Sequence, residues 1–310
     1  MVRLFTHNDL DGIGCAILAM KAFEDVDVSY CDYNDIDKKV GEYLASGTKG
    51  RMCFITDIRV NDTLAEEIDR HHEDIHLLDH HPTSLKLEKY PWCTVKIEDW
   101  KTGIKTSGTE LFYQWLIDHD FLVKNETLDK FVKIVRDYDT WRWNTLGEDG
   151  IICKQINDLL YIYGRKKFIE WCLSEIDNEI FPELYLLEDT LLESRQREID
   201  NYIEKKDKEI IFSELCGHKC GFLFAERYIS ELGNKLCQLH PEIDFIVMIN
   251  IGNRTVSYRT VKTDIDLGRD IASLFGGGGH PKTAGSQFLQ NVQLSVINEI
   301  FGKRGESDEI

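Results

Sequence analysis

Four times in its first 81 residues the chain runs through a short apolar segment and ends it on acidic residues or histidines. Residues 2–5 (VRLF) lead into His7, Asp9 and Asp11; 26–31 (VDVSYC) into Asp32; 52–56 (MCFIT) into Asp57; and 75–78 (IHLL) into Asp79, His80 and His81. Between these strand-length runs lie segments of helical period. Ile13, Ala16, Ile17, Met20 and Phe23 recur on one helix face, and Leu64, Ile68 and His71 do so more weakly. Strands alternating with helices predict an α/β fold with a doubly wound, mainly parallel sheet. In such sheets ligands bind beyond the carboxyl ends of the strands. All of these acids and histidines fall there.

Downstream, a further strand is expected at 94–97. Ser107 is placed to cap a helix running to Leu116, with Glu110 at the reciprocal position of a capping box. Helices are expected from Leu128 to about Cys172. Leucine and isoleucine at helical spacing through the charged stretch 184–208 predict a long connector. Strand-like GFLFA, DFIVMINI and TVSYRTV, a helix near 229–239 and a glycine run at 276–279 then form a smaller C-terminal α/β domain. The expected division is 1–180, a connector at 181–208, a second domain at 209–303 and a polar tail at 304–310.

Charge and cysteine content narrow the function. With 37 basic and 55 acidic residues the chain carries −18, the wrong sign for coating long duplex nucleic acid. Residues 209–303 are nearly balanced, so the excess lies elsewhere. Small phosphate ligands remain open if metal ions and a few arginines offset the local charge. Nine scattered cysteines read as a reducing, cytoplasmic setting. The longest strongly apolar run, 245–251, is far too short to cross a membrane, and no signal peptide is expected.

Each polar cluster has a bland alternative. Asp9 and Asp11, in His7-x-Asp9-x-Asp11-Gly12, suit a turn that bonds its own backbone, and Asp57 suits a helix cap. Asp79-His80-His81 is harder to explain as packing, because imidazoles without partners are costly core residues; Asp79 can orient one of the rings. Asp137-Tyr-Asp139-Thr-Trp-Arg-Trp adds two carboxylates beside aromatics, where Trp141 and Trp143 suit packing better than base stacking. Taken together, His7, Asp9, Asp11, Asp57, His80 and His81 can converge on one cleft. Several carboxylates there would repel one another strongly. Two divalent ions about 3.5–4 Å apart would relieve that repulsion and support phosphoryl displacement.

HNDLDG, Asp57 in ITDI, LDHH and DYDTW resemble the successive motifs of the DHH phosphoesterase superfamily, and TSGTEL (106–111) is similar to a helix start common there. GGGGHPKTAG (276–285) and SYRT (257–260) resemble the DHH-associated C-terminal domain, so the likeness runs in order along nearly the whole chain. HNDLDG and DYDTW look closest to the oligoribonuclease (nanoRNase) branch. The resemblance implies that His7, Asp9, Asp57 and Asp139 hold one Mn²⁺ and Asp11, Asp57, His80 and Asp139 the second, with Mg²⁺ or Co²⁺ as substitutes. Asp57 and Asp139 bridge, and Asp139 is preferred to Asp137 because Asp-Thr matches better. Asp57, His80 and His81 form the catalytic set, with His81 contacting phosphate or assisting the leaving group. Arg259 and His280 are implied to grip the substrate, with Gly277, Gly278 and Gly279 letting the backbone approach it.

The activity implied is hydrolysis of short single-stranded oligonucleotides to mononucleotides. Its rivals are a cyclic-dinucleotide phosphodiesterase, a phosphatase acting on 3′-phosphoadenosine 5′-phosphate, a non-catalytic nucleotide sensor and an RNA-binding accessory module. The sensor should have lost metal ligands, and the RNA-binding module should carry a basic surface. Other patterns carry less. Pro281 stands where a P-loop needs glycine, Cys216-x-His218-x-Cys220 is too tightly spaced for usual zinc sites, and DYNDID at Asp32 lacks the glycine and distal glutamate of a calcium loop.

Overall fold

A computed structural model describes residues 1–47, 51–71, 74–289 and 291–302; the expected tail at 304–310 lies outside them. The chain divides into two compact units, Met1–Leu192 and Glu193–Ile310. In the first, β1 (Val2–His7), α1 (Leu10–Ala22), β2 (Val26–Cys31), α2 (Ile36–Ala45), β3 (Cys53–Thr56), α3 (Asp62–His71), β4 (Ile75–Asp79) and β5 (Cys93–Val95) alternate as the periodicity requires. The five strands pair in parallel in the order β2-β1-β3-β4-β5. That order reverses direction between β1 and β3, the switch point where a doubly wound sheet opens a crevice.

Side-chain alternation along the strands distributes the helices. Leu4, Phe54 and Leu78 face a core shared with α1 and with three later helices, α4 (Gly108–Asp118), α5 (Glu126–Asp139) and α6 (Glu148–Tyr163). Phe5, Ile55 and Leu77, one residue away, face α2 and α3 through Ile36, Val40, Leu64 and Ile68. Both faces are therefore covered, as an all-parallel sheet demands. Each fully buried Phe or Leu contributes roughly 1.5–3 kcal/mol. α7 (Arg165–Asp177) completes the helical layer.

Two local expectations shift. Strand β5 closes at Val95, because the chain then turns into a loop pinned by Asp99, whose Oδ1 accepts from the backbone N–H groups of Lys101 and Thr102. Ser107 does cap α4, accepting from Glu110 N at 3.2 Å. Glu110 does not reciprocate: its Oε1 accepts from Arg136 Nη1 at 2.7 Å, a charge-assisted bond that outcompetes the neutral cap amide.

The connector is one helix, α8 (Leu186–Asp207). Its Leu192 belongs to the core of the first unit, and its Ile199 and Ile203 to that of the second. The second unit contains β6 (Ile211–Leu215), β7 (His218–Phe224), α9 (Ile229–Leu239), β8 (Phe245–Asn250), β9 (Thr255–Arg259), β10 (Gly278–His280), β11 (Thr283–Gln287) and α10 (Asn291–Phe301). Its sheet runs β10-β11-β9-β8-β7-β6, with β7–β8 the parallel pair and the rest antiparallel. Strand β11 and helix α10 were not expected. TAGSQ carries no apolar alternation, and its pairing with β9 supplies the order its composition lacks. Among the described residues no helix is long and apolar enough to cross a membrane, and all nine cysteines are free.

Candidate metal centre

The switch point between β1 and β3 collects the strand-end residues. His7 closes β1, and Asp9 caps α1, its Oδ1 accepting from Gly12 N at 3.1 Å. Its Oδ2 lies 2.8 Å from His7 Nδ1. A side chain at position 12 would bring a Cβ within 2.1 Å of the His7 carbonyl oxygen, so this turn requires glycine. Asp11, 1% exposed, turns the other way and accepts from the first amides of α4: Gly108 N at 2.6 Å and Thr109 N at 2.9 Å. The helix N-terminus thus fixes that carboxylate. Beneath, Thr56 donates to Thr6, which donates to the Gly12 carbonyl, so the turn floor is hydrogen-bonded.

Asp57 follows β3 in the left-handed backbone region, at φ 57°, a conformation that costs energy for a residue with a Cβ. It is not a helix cap; α3 begins five residues later. The unusual backbone leaves its two oxygens facing different ligand sets. Oδ2 lies 3.7 Å from His7 Nδ1, and Oδ1 lies 3.2 Å from His80 Nε2. His80 Nε2 is also 3.7 Å from Asp11 Oδ2 and 3.5 Å from Asp139 Oδ2. Donor atoms of His7, Asp9 and Asp57 form one compact group, and those of Asp11, His80 and Asp139 another.

Asp79 and His81 form the flank. Asp79 is fully buried, and its Oδ1 accepts from the His80 amide and lies 2.8 Å from His81 Nδ1, while Ser84 donates to Oδ2. Burial opposes ionisation of Asp79, but the hydrogen bond and charge of His81, with His80 and Ser84, together outweigh it and lower the carboxyl to about 2. Burial likewise opposes charge on His81, and the Asp79 carboxylate overrides it, raising the imidazole to about 9. His81 therefore carries positive charge at neutral pH.

The acids opposite behave differently. Burial, then the neighbouring carboxylates of Asp11 and Asp9, push Asp57 well above the usual carboxylate range. Burial raises Asp139 too, against the pull of His80. Asp57 Oδ2 is buried without a hydrogen-bond partner. Crowded carboxylates, imidazoles and an orphaned buried oxygen make a donor set able to hold a metal ion, and its chemistry fits Mn²⁺ or a similar divalent ion.

The two aspartates of DYDTW are placed apart. Asp137 is fully buried, and its Oδ1 accepts from Arg136 Nε and Nη2 and from Arg142 Nη1, at 2.9–3.1 Å. Asp139, at the end of α5, faces His80. Trp141 and Trp143 meet edge to face at 5.2 Å and are half-buried. The Arg136–Asp137–Arg142 hub and the Asp11–α4 contact were not anticipated; the small residues of TSGTEL hint at the second, and the first depends on how α5 ends. Tyr33, also unanticipated, sets its ring 5.4 Å from that of His7.

In the second unit, Arg259 lies half-buried on β9, its methylenes against Gly233 of α9. Nη1 donates to the Tyr258 carbonyl at 2.9 Å, Nη2 to Ser230 Oγ at 3.3 Å, and Nε is buried without a partner. Burial lowers this guanidinium to about 10. Gly277 and Gly279 press against β11, Gly278 is open to solvent, and His280 ends β10. Among the described residues no metal-type cluster includes Cys216, His218 or Cys220.

No family model matches the chain. It is 34% identical to oligoribonuclease NrnB of Bacillus subtilis, over 97% of its own length and 76% of that protein's. It is 22% identical to a 3′,5′-cyclic-nucleotide phosphodiesterase of Helicobacter pylori, over 98% of this chain and 96% of that one. Among solved structures, RecJ of Thermus thermophilus in complex with Mn²⁺ shares its fold at TM-score 0.63 and 12% identity, across 96% of this chain and 51% of RecJ. An oligoribonuclease homologous over nearly the full length, and a RecJ-like sheet with acids and histidines at its switch point, agree: the chain belongs to the DHH phosphoesterase family.

Proposed function

We propose that this protein is a two-metal phosphodiesterase that hydrolyses short single-stranded oligonucleotides to mononucleotides. The observation that carries this reading is Asp57, whose strained backbone turns one oxygen toward His7 and the other toward His80 while one of them stays unpaired. His7, Asp9, Asp57 and Asp139 would hold one Mn²⁺, and Asp11, Asp57, His80 and Asp139 the other. When bound, the two ions would neutralise the carboxylates, acidify the attacking water and stabilise charge on the phosphate.

The chain's own groups supply the rest. The amides of Gly108 and Thr109 and the cap of α1 hold Asp11 and Asp9 in place, so the ligands need not reorganise on binding. Asp79 orients the His81 ring and keeps it charged, so that it can hold a phosphate oxygen or donate a proton to the leaving oxygen. Arg259 and His280 would bind the remaining phosphate and sugar, the guanidinium through N–H groups not taken by the Tyr258 carbonyl and Ser230. Nine free cysteines support a cytoplasmic setting.

Hydrolysis of dinucleotides, a 5-mer, cyclic dinucleotides and bis-phosphorylated adenosine, each with and without chelator, tests this. Dinucleotides should be turned over fastest, activity should vanish on chelation, and Mn²⁺ should restore it better than Ca²⁺, which suits imidazole poorly. Full activity in chelator would overturn the two-metal reading. Preference for a cyclic dinucleotide would move the assignment to a cyclic-dinucleotide phosphodiesterase.

A further inference from the structure

The acidic turn 32–37, which resembles an incomplete calcium loop, serves a different end. Asp35 reaches back to accept from the Asp32 amide at 2.8 Å, Asp32 Oδ1 accepts from Asn34 N at 3.0 Å, and the Asp32 carbonyl accepts from the amides of Asp35 and Ile36. Lys39 clamps the turn from α2, bonding the Tyr30 carbonyl and pairing with Asp35. Every carboxylate that could ligate an ion is spent on the backbone. The residue this rigid turn projects is Tyr33, at the carboxyl end of β2, beside the switch point.

Tyr33 is 56% exposed, yet its ring sits 5.4 Å from the His7 ring at an interplanar angle of 49°. Burial, and then the carboxylates of Asp57, Asp79 and Asp9, push its phenol up. One edge of the ring therefore meets a metal-site imidazole while much of its surface remains in water. An aromatic face beside His7 and the Asp9–Asp57 carboxylates is placed to stack on a base, a sequence-tolerant contact.

We infer that Tyr33 is a substrate-positioning residue, stacking on the nucleobase of the nucleotide whose phosphate occupies the His7–Asp9–Asp57 cluster. This rests on the nucleotide-hydrolase reading above. A bare tyrosine on an exposed turn is the competing account, and it predicts no dependence on the base.

Binding of the reaction product separates the two. In the presence of Mn²⁺, calorimetry should show the wild-type protein binding AMP about 10-fold more tightly than ribose 5-phosphate, which lacks the base. Tyr33→Phe and Tyr33→Trp should keep that ratio, and Tyr33→Ala should reduce it to within about two-fold, with Mn²⁺ affinity and melting temperature near wild type. An unchanged ratio in Tyr33→Ala, an equal loss in Tyr33→Phe, or a parallel loss of Mn²⁺ affinity would each overturn the stacking role. Dinucleotide turnover by the wild-type protein is measured alongside. Dinucleotide turnover together with an unchanged AMP to ribose 5-phosphate ratio in Tyr33→Ala sinks only the Tyr33 inference, and absence of turnover sinks the underlying function.

Discussion

Asp57 occupies a position no isolated carboxylate would choose, buried among like charges in a left-handed backbone. Its folded-state value is raised, so ionisation costs stability at neutral pH in metal-free protein. Metal-free Asp57→Asn is therefore expected to melt at or above the wild-type temperature, while Mn²⁺ stabilises the wild type alone. In turnover, His7→Ala should lose about 10–100-fold and Asp57→Ala more, because Asp57 faces both donor groups; the reverse order would refute the bridging role. The Asp79–His81 pair has its own test. His81 is held protonated up to about pH 9, so kcat/KM should fall as pH rises through the His81 value. Asp79→Asn removes the charge behind that elevation, and the basic limb should move down by about one unit or more. An unmoved limb would show that His81 is not the acid. At this scale the strand-end acids and histidines were legible, because a strand terminus alone fixes their location. The arginine hub around Asp137 and the ring of Tyr33 were not, since both depend on where separate segments cross.

The elements that carry those side chains are held at fixed distances by missing atoms as much as by contacts. A Cβ on Gly108 would lie 2.6 Å from that of Asp57, so α4 can offer its first amides to Asp11 only with glycine there. Gly108→Ala is expected to cost about 1–3 kcal/mol of stability and to weaken Mn²⁺ binding, measured by thermal melts and metal titration. Full Mn²⁺ affinity in that variant would mean that α4 does not set the site. The alternation of strand and helix through residue 81 could be read directly from periodicity. What could not be read were features with no periodic signature: the redirected Glu110, the early end of β5, and a β11 made of small residues that borrows its order from β9.

Across the whole molecule, charge should act as a length filter. At −18 the chain offers little attraction for a long polyanion, so each added phosphate gains few basic contacts. kcat/KM is expected to decline as single-stranded substrates lengthen from two to about ten residues, measured at fixed ionic strength. Equal or better turnover of long strands would point instead to a RecJ-like processive nuclease. Composition and motif order anticipated an α/β chain with a smaller second part, whereas the strand order and mainly antiparallel pairing of the second sheet come from long-range partners that local sequence does not name.

The centre is also assembled late. Five of its six proposed ligands have been synthesised by residue 80, but Asp139 arrives only with α5. Contacts of such sequence separation form slowly and only once intervening loops have closed. The proposed ligand set is therefore incomplete until α5 has been made and packed. A nascent chain released before that point would hold a crowded set of carboxylates with no complete cage for an ion, and it would be the species most exposed to chaperones and proteases.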